Sequence, residues 1–302
     1  MFNKHRTFFR QLFAAVFLSL TINVSAQITA TDGLVGNTVG VTSDDNADGG
    51  YKSLWNEVYN HAKADLPRSQ IQVLQHIKEK ARAEHNYGQL LTAQLMEATL
   101  TVSISPDSLK AVVEQLRKEE QMANDTAIAA VYRTVLSRLL NVRRIEPDTA
   151  AMLAQKAVEK PEILAAKSAL DWQPFLVRGC DGSIFNDDLL SVVGFATGNA
   201  KAVHEYYLGT DNRKAQLVSA YMMLGMERSS TKKITDDIRV LDSLMTCYAD
   251  LPECGELAIR KLQLMSESSC TPRQQIVFID EALQKWGDWK NAVALQIGRA
   301  HV

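Results

Sequence analysis

An apolar repeat with the period of an α-helix runs through residues 51–101 and constrains the fold more than any other feature of the sequence. Its first part spaces apolar residues three and four apart, which places them on one helical face: Leu54, Trp55, Val58 and Ala62. Pro67 interrupts the repeat and suits the first turn of a second helix. Asn86-Tyr87-Gly88 suits a left-handed helix end, so the segment predicts three short helices. None of them buries its apolar face alone, so we expect them to pack on one another.

The helical period continues along the rest of the chain. Pro67, Pro106 and Pro147 each lie where a helix is predicted to begin, about forty residues apart. A loose repeat of this length is typical of stacked helix pairs. The chain has only 15 glycines and 7 prolines in 302 residues, too few turn formers for a large β-sandwich. We therefore predict an all-α fold, an irregular helical bundle or solenoid of antiparallel helix pairs.

A less regular stretch divides the helical part. Residues 160–182 are interrupted by prolines and glycines and contain Trp172 and Phe175, which require burial. We interpret them as a crossover between a first helical half, 51–159, and a second, 183–302. The last residues resemble a helix without a cap, so we expect the second half to be truncated. The four tryptophans are expected to lie in the core at helical spacing: Trp55, Trp172, Trp286 and Trp289.

The N-terminus has the three parts of a secretory signal peptide. Three positive charges precede an apolar run, and small residues end at Ala26. We expect cleavage between Ala26 and Gln27, which makes residues 1–26 the signal peptide. The alternative is an uncleaved N-terminal anchor, but the apolar run is too short to span a bilayer comfortably. The mature chain is therefore expected to be exported, without membrane insertion.

Residues 27–50 are rich in Gly, Asp, Asn and Thr and lack a helical period, which predicts a flexible linker. Alternating carboxylates at 44–49 resemble a calcium loop, but the required downstream glutamate is missing in register. The formal net charge is −2, and removal of the three positive charges of the signal peptide makes it about −5. This balance provides no basic stripe for nucleic acid and no polybasic patch for a membrane.

Cysteines are the most reactive residues that the sequence offers. The mature chain has four: Cys180, Cys247, Cys254 and Cys270. An oxidising compartment allows disulfides, and four cysteines permit three pairings. Cys247 and Cys254 flank one predicted turn and form the candidate disulfide. Equally, helical cysteines are often small buried hydrophobic residues.

Signatures of catalysis are missing from the sequence. Four histidines of the helical part are scattered over different predicted helices: His61, His76, His85 and His204. There is no spacing typical of a metal site, no G-x-S-x-G or cysteine-protease signature, and no glycine-rich phosphate loop. We therefore expect no enzymatic activity and no catalytic, cofactor or metal site. A hydrolase or lyase on a helical fold is the least favoured interpretation, because it would need a cleft with converging acid and base groups.

Five short segments of the helical part follow the pattern of a known family. They are Tyr51–Val58, Leu66–Ser69, Asn86–Ala93, Asp187–Phe195 and Leu251–Ala258. Together with the signal peptide and linker, they resemble the N-terminal helical region of the large alpha-2-macroglobulin-like proteins of Bacteroidetes. In that family the helical region precedes macroglobulin β-sandwich domains, and the whole protein is similar to protease-trapping inhibitors. The sandwiches, the bait segment and the thioester domain have no counterpart here, so the resemblance implies a leading fragment of an endopeptidase inhibitor.

One tetrapeptide imitates the reactive motif of that family. Cys254-Gly255-Glu256-Leu257 differs from C-G-E-Q at its last position. Leu257 lacks the carboxamide that would react with the cysteine sulfur, so no thioester is expected and Cys254 is interpreted as structural. The alternative function is a free-standing exported helical-repeat scaffold that binds another protein through a concave face.

Overall fold

The computed structural model describes residues 50–176, 182–226 and 234–301. Over these ranges the protein is all-α, as the sequence predicts, with fourteen α-helices and three short 3-10 helices. The predicted signal peptide with its Ala26–Gln27 cleavage site lies outside the described residues, and so do residues 27–49 of the predicted linker. Cys180 lies outside them as well.

The chain forms two compact units, which divide between Thr197 and Gly198. The described α-helices of the first unit are α1 (Tyr51–Lys63), α2 (Pro67–Ala83), α3 (Tyr87–Ile104), α4 (Leu109–Met122), α5 (Thr126–Arg143), α6 (Pro147–Ala157), α7 (Pro161–Ala165) and α8 (Leu189–Ala196). The 3-10 helices are Pro106–Ser108, Ala169–Trp172 and Gly182–Phe185.

In the first unit each helix from α1 to α6 packs on the next one along the chain. This is the arrangement that antiparallel helix pairs with short turns produce. Helix α5 is central, because it also contacts α7 and α8 and buries Tyr132, Leu136 and Leu140 almost completely. Helices α1, α2 and α3 share a further core cluster around Val58, Leu74 and other buried apolar residues.

Proline positions mark the helix starts as predicted. Pro67 and Pro147 are the first residues of α2 and α6, and Pro106 begins a 3-10 turn ahead of α4. The predicted left-handed stop at 86–88 is wrong, since the left-handed residue is His85, with φ 54°. Asn86 instead caps α3, because its side-chain oxygen accepts a hydrogen bond from the Gln89 amide at 3.1 Å.

The described residues of the predicted crossover, 160–176 and 182, belong to the first unit, which ends at Thr197. The Ala169 amide donates to the Asp187 carbonyl at 2.7 Å, and the Leu189 amide donates to the Lys167 carbonyl at 2.9 Å. Helix α8 then packs on α5. These contacts move the division from the predicted residue 183 to after Thr197.

Trp172 and Phe175 are buried in the first unit, as predicted. The Trp172 ring lies beside the Tyr87 ring, with centroids 5.9 Å apart. The backbone of Trp172 and Gln173 therefore lies against the first turn of α3, at Gly88. A β-carbon on Gly88 would lie 2.2 Å from the Gln173 carbonyl oxygen. Only glycine fits this close approach of two backbones, which explains its position inside a helix.

The described helices of the second unit are α9 (Ala200–Leu208), α10 (Arg213–Met226), α11 (Ile234–Cys247), α12 (Cys254–Ser266), α13 (Pro272–Trp286) and α14 (Val293–His301). Each packs on the next, and α12 also contacts α14. Helix α12 is central and buries Leu257, Ile259 and Leu264. Trp286 is buried and Trp289 packs partly buried against the same core, as the sequence predicts. No helix in the described ranges has both the length and the apolar character needed to cross a membrane.

Candidate functional site

The turn between α11 and α12 contains both cysteines of the candidate disulfide and the C-G-E-L tetrapeptide. We call residues 247–257 the α11–α12 turn. Cys247 ends α11 and is exposed, whereas Cys254 begins α12 and is buried. The Cys254 thiol donates to the Tyr248 carbonyl, with Sγ and O 3.0 Å apart, and burial raises the pKa of this thiol to about 12. The structure leaves both as free thiols, so their disulfide stays a prediction.

The C-G-E-L tetrapeptide is used for packing along its whole length. A β-carbon on Gly255 would lie 2.7 Å from three atoms of Trp289, so glycine is needed for this contact. The buried carboxylate of Glu256 accepts hydrogen bonds from Trp289 Nε1 at 3.2 Å and from Asn291 Nδ2 at 3.0 Å. Leu257 lies in the core. The tetrapeptide therefore holds the 289–291 segment against α12.

Charged residues attach the start of α10 to this turn. The guanidinium of Arg213 binds both carboxylate oxygens of Asp250, donates to the Cys247 carbonyl at 3.1 Å and lies 5.5 Å from the centre of the Tyr248 ring. The Arg213 guanidinium also lowers the pKa of the Asp250 carboxyl. Lys214 Nζ pairs with Glu253 at 2.9 Å. These cations are engaged in interhelical contacts, which fix the turn in place.

Thiol chemistry should separate the two cysteines of the turn. A thiol reagent applied to the folded chain is expected to modify Cys247 and to leave Cys254 intact, because only Cys247 is exposed and the thiolate is the reacting form. Peptide mapping after a short pulse measures the labelling at each site. Denaturant should expose Cys254 to the same reagent. Equal labelling of both sites in the folded chain would contradict this account.

Helices α9 and α10 bring together a histidine and a serine that the sequence does not link. His204 Nδ1 lies 3.0 Å from Ser219 Oγ. The arrangement resembles a nucleophile and its base. However, Ser219 is completely buried and its hydroxyl lies 3.1 Å from the Gln216 carbonyl that accepts its hydrogen bond. A substrate does not reach that oxygen, so the pair joins two helices of one hairpin.

The pH dependence of the free energy of unfolding should reflect the protonation of His204. Burial lowers the pKa of His204 from its ordinary value of 6.5. Below pH 6.5 the unfolded chain therefore binds a proton that the folded chain resists. The stability that comes from the neutral ring is present above pH 6.5 and is lost as the pH falls below it. Urea denaturation at pH 7.5 and 5.5 should show a lower midpoint at pH 5.5, and His204→Gln should reduce that difference. An unchanged difference in the variant would contradict the assignment.

A polar network in the first unit links four helices. Arg82 of α2 pairs with Glu119 of α4, which also accepts a hydrogen bond from Gln94 Nε2 of α3 at 3.2 Å. The buried Tyr132 hydroxyl of α5 donates to Gln94 Oε1 at 2.8 Å, and burial raises the pKa of this tyrosine. The members lie far apart in sequence and carry no motif, so sequence analysis does not detect them. Networks that satisfy buried polar groups, here Gln94 and Tyr132, specify how helices pack.

An open groove of about 370 Å³ lies on the second unit, beside α12 and α13. Its lining residues are Lys261, Thr271, Arg273, Gln274, Val277, Phe278 and Glu281. The Lys261 ammonium lies 4.4 Å from the centre of the Phe278 ring and 2.6 Å from an Asp242 oxygen. Across residues 50–176, 182–226 and 234–301, no three metal-ligating side chains come together in a group that could hold an ion.

The described side chains thus define an all-α protein whose candidate reactive groups take part in contacts between helices. Comparison with protein-family models, with curated proteins and with solved structures finds no match to the chain. The resemblance to alpha-2-macroglobulin-like proteins therefore stays a prediction from the segments that carry it.

Proposed function

We propose that this chain is a protein-binding helical scaffold, exported from the cell, that forms the leading region of an alpha-2-macroglobulin-like protein. The observation that carries the proposal is the role of the resembling segments, which build junctions between helices. Asn86 caps α3, and the buried Asp188 caps α8 by accepting from the Ser191 amide at 2.8 Å. The segment at 251–258 packs α12 against Trp289. Residues in these positions would give related proteins the same arrangement of helices.

Protease trapping is the activity that this proposal implies for the full-length protein. The helical region would hold or present the downstream domains, and its partners would be proteases or envelope proteins in the periplasm or at the cell surface. The reactive parts would lie in those domains, because Cys254 is enclosed and Leu257 has no carboxamide. The proposal requires no cofactor and no nucleic acid.

A protease assay on the full-length gene product tests the inhibitory role. A trapped endopeptidase is expected to lose activity on a large protein substrate and to keep it on a short peptide. The 302-residue chain alone should change neither activity. A protease blocked at its active site is the matched control, since trapping requires cleavage and the blocked enzyme should remain free. Unchanged cleavage of the large substrate would contradict the inhibitory role.

The second candidate is a free-standing helical-repeat scaffold. The observation in its favour is the packing of each helix on the next from α1 to α6, which is how repeat scaffolds bury their cores. Under this alternative the gene product would bind a protein partner and would leave endopeptidases uninhibited. The same protease assay therefore separates the two candidates.

A further inference from the structure

The outward side of α13 carries three exposed residues spaced four apart: Arg273, Val277 and Glu281. Residues four apart on an α-helix lie on the same side. We call this set the α13 stripe. It runs from a cation through an apolar side chain, 52% exposed, to an anion. The same three residues line one side of the groove to which Lys261 and Phe278 also contribute.

The two charges of the stripe have no partner within the described part of the chain. Neighbouring charges do have partners: Asp280 pairs with Arg299 at 3.1 Å, and Lys261 pairs with Asp242 at 2.6 Å. Arg273 also lies in the first turn of α13, where the helix dipole favours an anion. Neither charge forms an ion pair within the described part of the chain, so both remain available to another molecule.

The order of these residues makes the stripe complementary to itself. Arg273 and Glu281 lie equally far from Val277, on opposite sides. When two such helices cross antiparallel about a two-fold axis at Val277, each Arg273 faces the Glu281 of the other copy. We propose that the α13 stripe is a contact surface between two copies of this chain. The two valines meet at the axis, and an ion pair closes each end.

The proposed contact is small. A single pair of helices buries less surface than a permanent dimer interface, so association should be reversible and should depend on protein concentration. The flanking ion pairs lie near water, so salt should weaken it. Sedimentation velocity over a range of protein concentrations at low salt is the measurement, and the purified wild-type chain is expected to change from monomer to dimer.

Two charge-reversal variants test the proposed contact between the two copies. Arg273→Glu places two glutamates opposite each other at both ends, and Glu281→Arg does the same with two arginines. Each variant alone is expected to associate at least about tenfold more weakly than wild type. An equimolar mixture of the two variants should associate again, because each supplies the opposite charges that the other needs.

A matched control separates this contact from general charge effects. Arg239→Glu changes the net charge as Arg273→Glu does, on an exposed side chain of α11, and should leave association unchanged. Circular dichroism verifies that every variant is folded. A wild-type chain that stays monomeric, single variants that associate as wild type does, or a mixture that does not recover would each overturn the proposal.

Discussion

Replacing Gly88 by alanine is expected to lower the free energy of unfolding by about 3 kcal/mol. The added β-carbon would lie 2.2 Å from the Gln173 carbonyl oxygen and 2.6 Å from the Trp172 carbonyl carbon. Both neighbours are backbone atoms and do not rotate away. The variant must therefore shift the 169–173 segment off α3, which loosens the Trp172–Tyr87 contact.

Chemical denaturation followed by circular dichroism measures this loss. Gly225→Ala is the matched control, because Gly225 also lies in a helix and a β-carbon there meets nothing within 4 Å. That control should keep or raise stability, by roughly 0.5–1 kcal/mol, as alanine favours a helix over glycine. Equal effects of the two substitutions would contradict the close approach of the 172–173 backbone to Gly88.

Changing Leu257 to glutamine is expected to cost about 3 kcal/mol and to form no thioester. The substitution completes the C-G-E-Q motif in sequence. In the fold, however, it places an amide in the apolar core around α12, where Leu241 and Ile279 lie. The Cys254 sulfur is enclosed and its thiol is engaged with the Tyr248 carbonyl. The variant therefore carries the C-G-E-Q sequence but is not expected to form the thioester.

Intact mass and thiol content decide the chemical part of this prediction. Formation of a thioester would release ammonia and remove one titratable thiol, and neither change is expected. Val293→Gln is the control for stability, since Val293 is an exposed residue of the same unit and its change should stay within about 0.5 kcal/mol. A variant that lost ammonia would contradict the structural role assigned to Cys254.

Local rules predict much of this fold. Pro67 and Pro147 mark helix starts because their missing N–H is harmless in a first turn, and the structure places them there. The apolar period of 51–101 predicts α1 to α3, which the structure contains. The all-α class follows from such signals, since each depends on residues within one or two helical turns.

Contacts between distant residues escape this kind of prediction. The first turn of α3 contains glycine because the backbone at 172–173 lies against it, which no local pattern reveals. The same holds for His204 and Ser219, which only the α9–α10 hairpin brings together. The sequence therefore predicts a helix end at Gly88, whereas in the structure Gly88 lies in the first turn of α3.

The protein isolated from the cells that produce it offers the most direct test of the central proposal. Mass spectrometry of the intact protein measures its N-terminus and its length together. We predict an N-terminus at Gln27 and a mass well above that of the 302-residue chain, as an exported protein with downstream macroglobulin domains requires. A protein that keeps Met1, or one that ends at Val302, would contradict the proposal that this chain is the leading region of an exported protease trap.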